Sequence, residues 1–170
     1  MNKFYVASYG YDNVLTKDIW VNMNSQESVG ISPEMFGEFV FPGYCDLAKE
    51  FGLVYYGCCE PVHEIWDDYI SKLPNLRKVS ISAWCDEKFM GEKLKNGKVI
   101  YSRKPHPSLI GVGHFDELAF KEHIKYTIRA AEGCKAEIIF RDIYTLCGDI
   151  YRAKKVVQIT KELIDKNWNT

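Results

Sequence analysis

Short runs rich in β-branched and aromatic residues alternate with longer runs of helical period through most of this chain. Leu53-Val54-Tyr55-Tyr56-Gly57-Cys58 is apolar without a helical repeat and reads as a strand. Val62, Ile65, Trp66, Tyr69, Ile70 and Leu73 follow at helical spacing, so the pattern predicts a helix over 62–73, broken by Pro74-Asn75. Leu76 to Ser82 reads as the next strand. Glu87 to Leu94 reads as a short helix that Asn96-Gly97 stops. Lys98 to Ser102 is the third strand, leading into the stiff loop Arg103-Lys104-Pro105-His106-Pro107. A helix over about 116–132 buries Leu118, Ala119, His123 or Ile124, and Ile128, and Gly133 ends it. Ala136 to Arg141 is the fourth strand, and the last helix covers about 150–165.

Upstream, Ile19 to Met23 reads as a further strand. Ser32-Pro33-Glu34 opens a helix with an N-cap serine, proline at the first helical position and an acid in the first turn. That helix extends to about Phe51 and closes at Gly52, with Pro42 and Gly43 kinking or splitting it. Residues 1–18 read as an arm or as one more strand, over Phe4 to Ser8. No convincing domain boundary appears, so a single domain over 1–170 is expected.

Repeated strand–helix units imply parallel pairing with right-handed crossovers. They fit either an open doubly wound sheet or a (β/α)₈ barrel. The doubly wound alternative wants a glycine-rich phosphate loop after its first strand, and neither the dinucleotide pattern nor the phosphate-loop pattern occurs. The expected class is therefore α/β, a half (β/α)₈ barrel of four to five parallel βα units.

Composition narrows the function classes. With 46% hydrophobic and 26% charged residues the chain can bury a core and is not of disordered type. A net charge of −1 leaves no broad electrostatic footprint for nucleic acid or an anionic membrane. No run approaches the length of a membrane span, and the opening residues lack the apolar stretch of a secretory signal. Six cysteines in a chain this rich in core-forming residues read as thiols in a reducing, cytoplasmic setting.

Candidate chemistry gathers at the strand ends, where barrel enzymes place it. Cys58-Cys59-Glu60-Pro61-Val62-His63 follows one strand, Trp84-Cys85-Asp86 the next, and Arg103-Lys104 the third. Asp142 and then Cys147-Gly148-Asp149 follow the fourth. Soft thiolates and imidazole suit zinc, so Cys58, Cys59, His63, Cys85 and Cys147 could supply ligands from separate loops. Each cysteine could equally be a small buried hydrophobe, as expected of Cys45 and Cys134. Glu60, His63 and Asp142 are the acid–base candidates, or else caps of their turns. Arg103 and Lys104 could clamp a carboxylate or phosphate, or be ordinary loop charges. The stripe Ile65, Trp66, Tyr69 reads as core packing.

Several stretches resemble a family. Trp20 to Glu38, with Ser25-Gln26-Glu27-Ser28-Val29-Gly30-Ile31-Ser32-Pro33-Glu34-Met35, is similar to a branch of the uroporphyrinogen-decarboxylase-like proteins. So are Tyr56-Gly57-Cys58-Cys59-Glu60-Pro61, Pro74 to Ser82, and Ser102-Arg103-Lys104-Pro105. The resemblance runs from about Trp20 to the C-terminus and corresponds to the later half of the family's length. It implies a (β/α)₈ barrel working beside corrinoid-dependent methyl transfer, with a zinc-held thiolate taking the methyl group. The decarboxylase branch carries a glycine-histidine-rich signature that this chain lacks. Cys58 resembles the first zinc cysteine of the methyltransferases, and Cys147-Gly148 the segment of the second. Tyr56 occupies the histidine slot, so Cys59, Glu60 or His63 would have to substitute. With the strand-end reading, the expected zinc ligands are Cys58, Cys59 and Cys147, and the expected substrate-binding residues are Tyr56, Cys85, Arg103 and Lys104.

A complete barrel of this type needs about 250 residues. This chain is then either a piece of a longer product or a half that pairs. It would pair with a second copy or a separately encoded N-terminal half, and work with a corrinoid protein. The functions expected are a corrinoid-dependent methyltransferase or its subunit, a decarboxylase of tetrapyrrole carboxylates, or a non-catalytic corrinoid-binding barrel fragment.

Overall fold

A computed structural model describes residues 14–168. The strand expected over Phe4 to Ser8 lies outside the described residues. The chain forms two compact units, one up to Cys85 and one from Asp86 onward, although the sequence shows no boundary there.

The fold is α/β, and its strand pairs within each unit are parallel and follow sequence order. In the first unit β1 (Trp20–Met23) pairs with β2 (Leu53–Tyr56), and β2 with β3 (Leu76–Ile81). In the second unit β4 (Ile100–Arg103) pairs with β5 (Lys135–Ile138). All four expected strands from Leu53 onward are therefore present, and so is the one at Trp20. The arrangement is that expected of part of a βα-repeat barrel.

The first crossover is less regular than its sequence suggests. Ser32 caps α1 (Pro33–Met35) by accepting a hydrogen bond from the Met35 amide, as its N-cap position predicts. The chain then widens into a π-turn over Phe36–Val40 before α2 (Phe41–Lys49). Pro42 accounts for the widening. It has no amide proton for the carbonyl of Glu38 and its ring crowds that group, so the preceding turn opens and the Phe41 amide bonds Phe36 instead.

The helix expected over 62–73 is absent as a helix. Only two single turns of 3₁₀ type form, Val62–Ile65 and Ile70–Lys72, with Tyr69 off helical dihedrals between them. The apolar spacing still does its packing work: Val62, Trp66, Ile70 and Leu73 are all buried. They belong to one core with Met23, Phe36, Ala48, Val54, Tyr56, Val79 and Ile81. Phe36, Phe41 and Tyr69 meet edge-on or tilted within it.

The strand pleat sends alternate residues to the opposite face. There Lys78 lies over the rings of Trp20 and Tyr55, at 5.5 and 4.9 Å from their centroids. Trp20 itself is 44% exposed. Tyr56 and Val79 face the buried side.

In the second unit α3 (Glu87–Leu94) and α5 (Glu117–Ala130) are capped by Asp86 and Asp116, each accepting an amide hydrogen bond three residues on. Between them comes a short unexpected helix, α4 (Ser108–Gly111), after the Pro-His-Pro loop. Asn96, not Gly97, takes the left-handed turn after α3. Of the face expected of α5, Ile124 and Ile128 are buried; in the first turn Leu118 and Ala119 are exposed and Phe120 is buried in their place. Phe120, Ile124 and Ile128 pack with Ile110 and with Val156 and Ile159 of α6 (Tyr151–Asn167). Gly91 lets α3 approach α5 closely, for a Cβ there would stand 1.7 Å from the Ala130 carbonyl oxygen. Among the described residues no helix is long and apolar enough to cross a membrane.

Candidate functional site

The sharpest turn in the first unit follows β2 at its carboxyl end. Gly57 adopts φ +97°, a conformation that side chains rarely allow. Its amide bonds the Met23 carbonyl at 2.8 Å, which extends the β1–β2 ladder by one step. Past this bend Cys58 and Cys59 fold back on each other, with Sγ atoms 3.8 Å apart and both residues half-buried.

Glu60 holds the bend. Its carboxylate is almost fully buried and accepts from the Ser25 amide at 3.1 Å and the Cys58 amide at 2.9 Å. Two serines of the β3 segment fix the backbone from the other side. Ser80 Oγ donates to the Cys58 carbonyl at 2.8 Å, and Ser82 Oγ donates to the Glu60 carbonyl at 3.2 Å. Four side-chain hydrogen bonds therefore define the geometry of three residues.

An open cleft of about 370 Å³ lies against this turn, lined by Gln26, Val29, Cys59, Glu60, Pro61 and Trp84. Trp84 is 65% exposed and forms an apolar wall. Cys59 faces this cleft, and Cys58 is not among its lining residues.

Several expected roles change on this geometry. Glu60 is not poised as an acid–base group, because two backbone amides occupy its carboxylate; it positions the cysteine turn. Tyr56 is not on a substrate surface. It is fully buried beside the Tyr44 ring, and burial pushes its hydroxyl well above the ordinary tyrosine value. The pleat dictates this, since Val54 and Tyr56 are two residues apart and share the core face. Cys85 follows β3 on the same strand-end edge as the cysteine pair, since β2 and β3 are parallel, and it is buried. His63 is half-buried in the 3₁₀ turn Val62–Ile65.

In the second unit Arg103 is not an exposed clamp. It is 2% exposed and its Nη2 meets Glu87 Oε1 at 2.5 Å. Thr127 and Tyr101 bond the same glutamate, at 2.7 Å to Oε2 and 3.2 Å to the carbonyl. His123 Nε2 lies 3.3 Å from Arg103 Nη2. Burial, with the Arg103 and His106 charges, lowers the His123 pKa to about 4. A neutral imidazole therefore accepts from the guanidinium. Burial pushes the Glu87 carboxyl upward, against the pull of Arg103 and the Thr127 and Tyr101 hydrogen bonds. Tyr101 and Arg103 stand two residues apart on β4 and reach the same helices, which is why Arg103 cannot face a loop. Lys104 is also buried, at 7% exposure.

Asp142 is exposed in a left-handed turn four residues past β5, and Arg141 Nε holds its carboxylate at 2.7 Å. Cys147 is exposed, with φ +55°, in the segment between β5 and α6.

A zinc site asks for at least three protein ligands. Two tetrahedral Zn–S bonds of about 2.3 Å span roughly 3.8 Å, so the Cys58–Cys59 separation suits two ligand positions. Among the described residues, however, no group of three or more His, Cys, Asp or Glu side chains converges to hold a metal. The described residues do not by themselves converge on the implied zinc site.

The buried Glu87 and Thr127 and the half-buried His123 around Arg103, and the serines at 80 and 82, were not legible as functional or supporting groups. Glu87 looks like an ordinary first-turn acid, and serine in a strand carries no sequence signal of its own.

No family model matches the chain, and neither does any curated protein or solved structure.

Proposed function

We propose that this chain is the thiol-bearing part of a corrinoid-linked methyl-transfer protein of βα-barrel type, working in a reducing, cytoplasmic setting. One observation carries the reading: the paired thiols stand at the carboxyl end of a parallel strand, beside an open cleft with an aromatic wall. Barrel chemistry sits at that end of the strands. The resemblance of Tyr56 to Pro61 and of Pro74 to Ser82 falls on the strands and turn that build this place.

The acceptor thiol bound in the cleft would take the methyl group onto its sulfur as a thioether, and the corrinoid would keep both electrons of the cobalt–carbon bond. The protein contributes binding and orientation, while the corrinoid supplies the difficult bond. A cleft of about 370 Å³ admits a thiol acceptor but not a whole corrinoid. The corrinoid therefore arrives on a partner protein, or meets the cleft through a further barrel half. Decarboxylation of tetrapyrrole carboxylates is the weaker alternative, because the arginine it needs for substrate is neutralised by Glu87.

The test is cobalt–carbon bond cleavage, followed by absorbance, with methylcobalamin and a small thiol. Wild type should accelerate it, and Cys59→Ser should return it to the uncatalysed rate. No acceleration by wild type, alone or with a co-purified corrinoid protein, sinks the reading. Tight binding of the corrinoid protein without cleavage leaves a scaffold in its place.

A further inference from the structure

We infer that Cys58 and Cys59 form a dithiol modification site that exchanges with low-molecular-weight disulfides, Cys59 attacking first and Cys58 resolving. The inference does not depend on the methyl-transfer reading.

Adjacent residues in extended chain point to opposite faces, which keeps neighbouring cysteines apart. Here the Gly57 bend brings the two sulfurs to 3.8 Å, close to contact. The arrangement is fixed in advance. Glu60 grips the Cys58 amide, Ser80 grips its carbonyl, and Ser82 grips the carbonyl of Glu60. With the turn ordered before reaction, little chain entropy remains to be lost when the second thiol attacks.

The two cysteines are not equivalent. Cys59 lines the cleft that Trp84 and Gln26 also face, so an incoming disulfide meets Cys59. In the first step the Cys59 thiolate bonds one sulfur of the R–S–S–R reagent and expels RS⁻. In the second, the Cys58 thiolate attacks the Cys59 sulfur and expels the other RS⁻. The two cysteine protons end on the released thiols. The pair loses two electrons and one disulfide gains them.

The probe is glutathione disulfide, read by peptide mapping and mass spectrometry on the full chain. In wild type the peptide carrying both cysteines should lose two hydrogens and retain no glutathione. Cys58→Ser should trap one glutathione on Cys59. Cys59→Ser should slow labelling of Cys58 by about tenfold or more, because the resolving sulfur is off the cleft. The wild-type product needs no variant to fold and stands as its own control. Stable glutathione on wild-type Cys58 or Cys59, or an unmodified pair, overturns the inference. Equal labelling rates in the two serine variants overturn the assignment of the attacking sulfur.

Discussion

Arg103 and Glu87 form a nearly solvent-free ion pair, Nη2 to Oε1 at 2.5 Å, between β4 and α3. Removing one member of such a pair leaves a charge buried without its counter-ion, which typically costs about 3–5 kcal/mol. Arg103→Ala is therefore expected to lower the urea midpoint strongly. A substrate clamp would behave differently, losing ligand affinity at unchanged stability. An unaltered midpoint would return Arg103 to the candidate site.

His123 makes stability depend on pH. Its pKa is about 4 folded against 6.5 for an unperturbed imidazole, so the unfolded chain binds the proton more tightly. The neutral form's contribution is complete above 6.5 and is lost as pH falls from 6.5 towards 4. After discounting for partial exposure, the loss should be about 1–2 kcal/mol. Glu87, with its carboxyl pushed up, works in the opposite sense. The comparison to make is thus wild type against His123→Gln, at pH 7 and pH 4.5. The variant should lose less stability on acidification; equal losses would remove His123 from the account.

Gly91 tests how closely α3 and α5 are packed. Gly91→Ala sets a methyl group against the Ala130 carbonyl, and the helices must part. Overpacking against backbone costs typically 1–3 kcal/mol, and a contact this short belongs at about 3. Thermal melting of the variant should show a drop of several degrees. A gain in stability, as for an unhindered helical glycine, would mean that the helices are further apart.

Glu60→Ala should cost about 2–4 kcal/mol, since two amides lose a charged acceptor in a buried place. Its second effect distinguishes positioning from bulk stability. With the turn released, the sulfurs of Cys58 and Cys59 should separate, and glutathione should remain on Cys59 as a mixed disulfide. If the variant still closes the pair as wild type does, Glu60 does not position it.

Much of the fold was readable because parallel strands announce themselves locally. Leu53 to Tyr56 and Leu76 to Ile81 are β-rich runs between breakers, and both are strands. The segment 62–73 misled because helical spacing of apolar residues predicts burial more directly than it predicts a helix. Trp66 and Ile70 are buried, yet the backbone around Tyr69 is not helical. The site was less legible for a different reason. Which way a strand-end residue points depends on strand parity and on partners distant in sequence. Arg103 is matched to Glu87 sixteen residues away and Ser80 to Cys58 at twenty-two, and neither pairing has a local signature.

Lys78 has a consequence for any barrel this chain helps to close. Its ammonium is laid across Trp20 and Tyr55, on the sheet face that a finished barrel turns inward. Barrels are ordinarily filled there by layers of branched aliphatic side chains. The layer at this level is therefore cationic and aromatic where a barrel ordinarily holds packed hydrocarbon, and the rings of Trp20 and Tyr55 give the ammonium a favourable face to rest on.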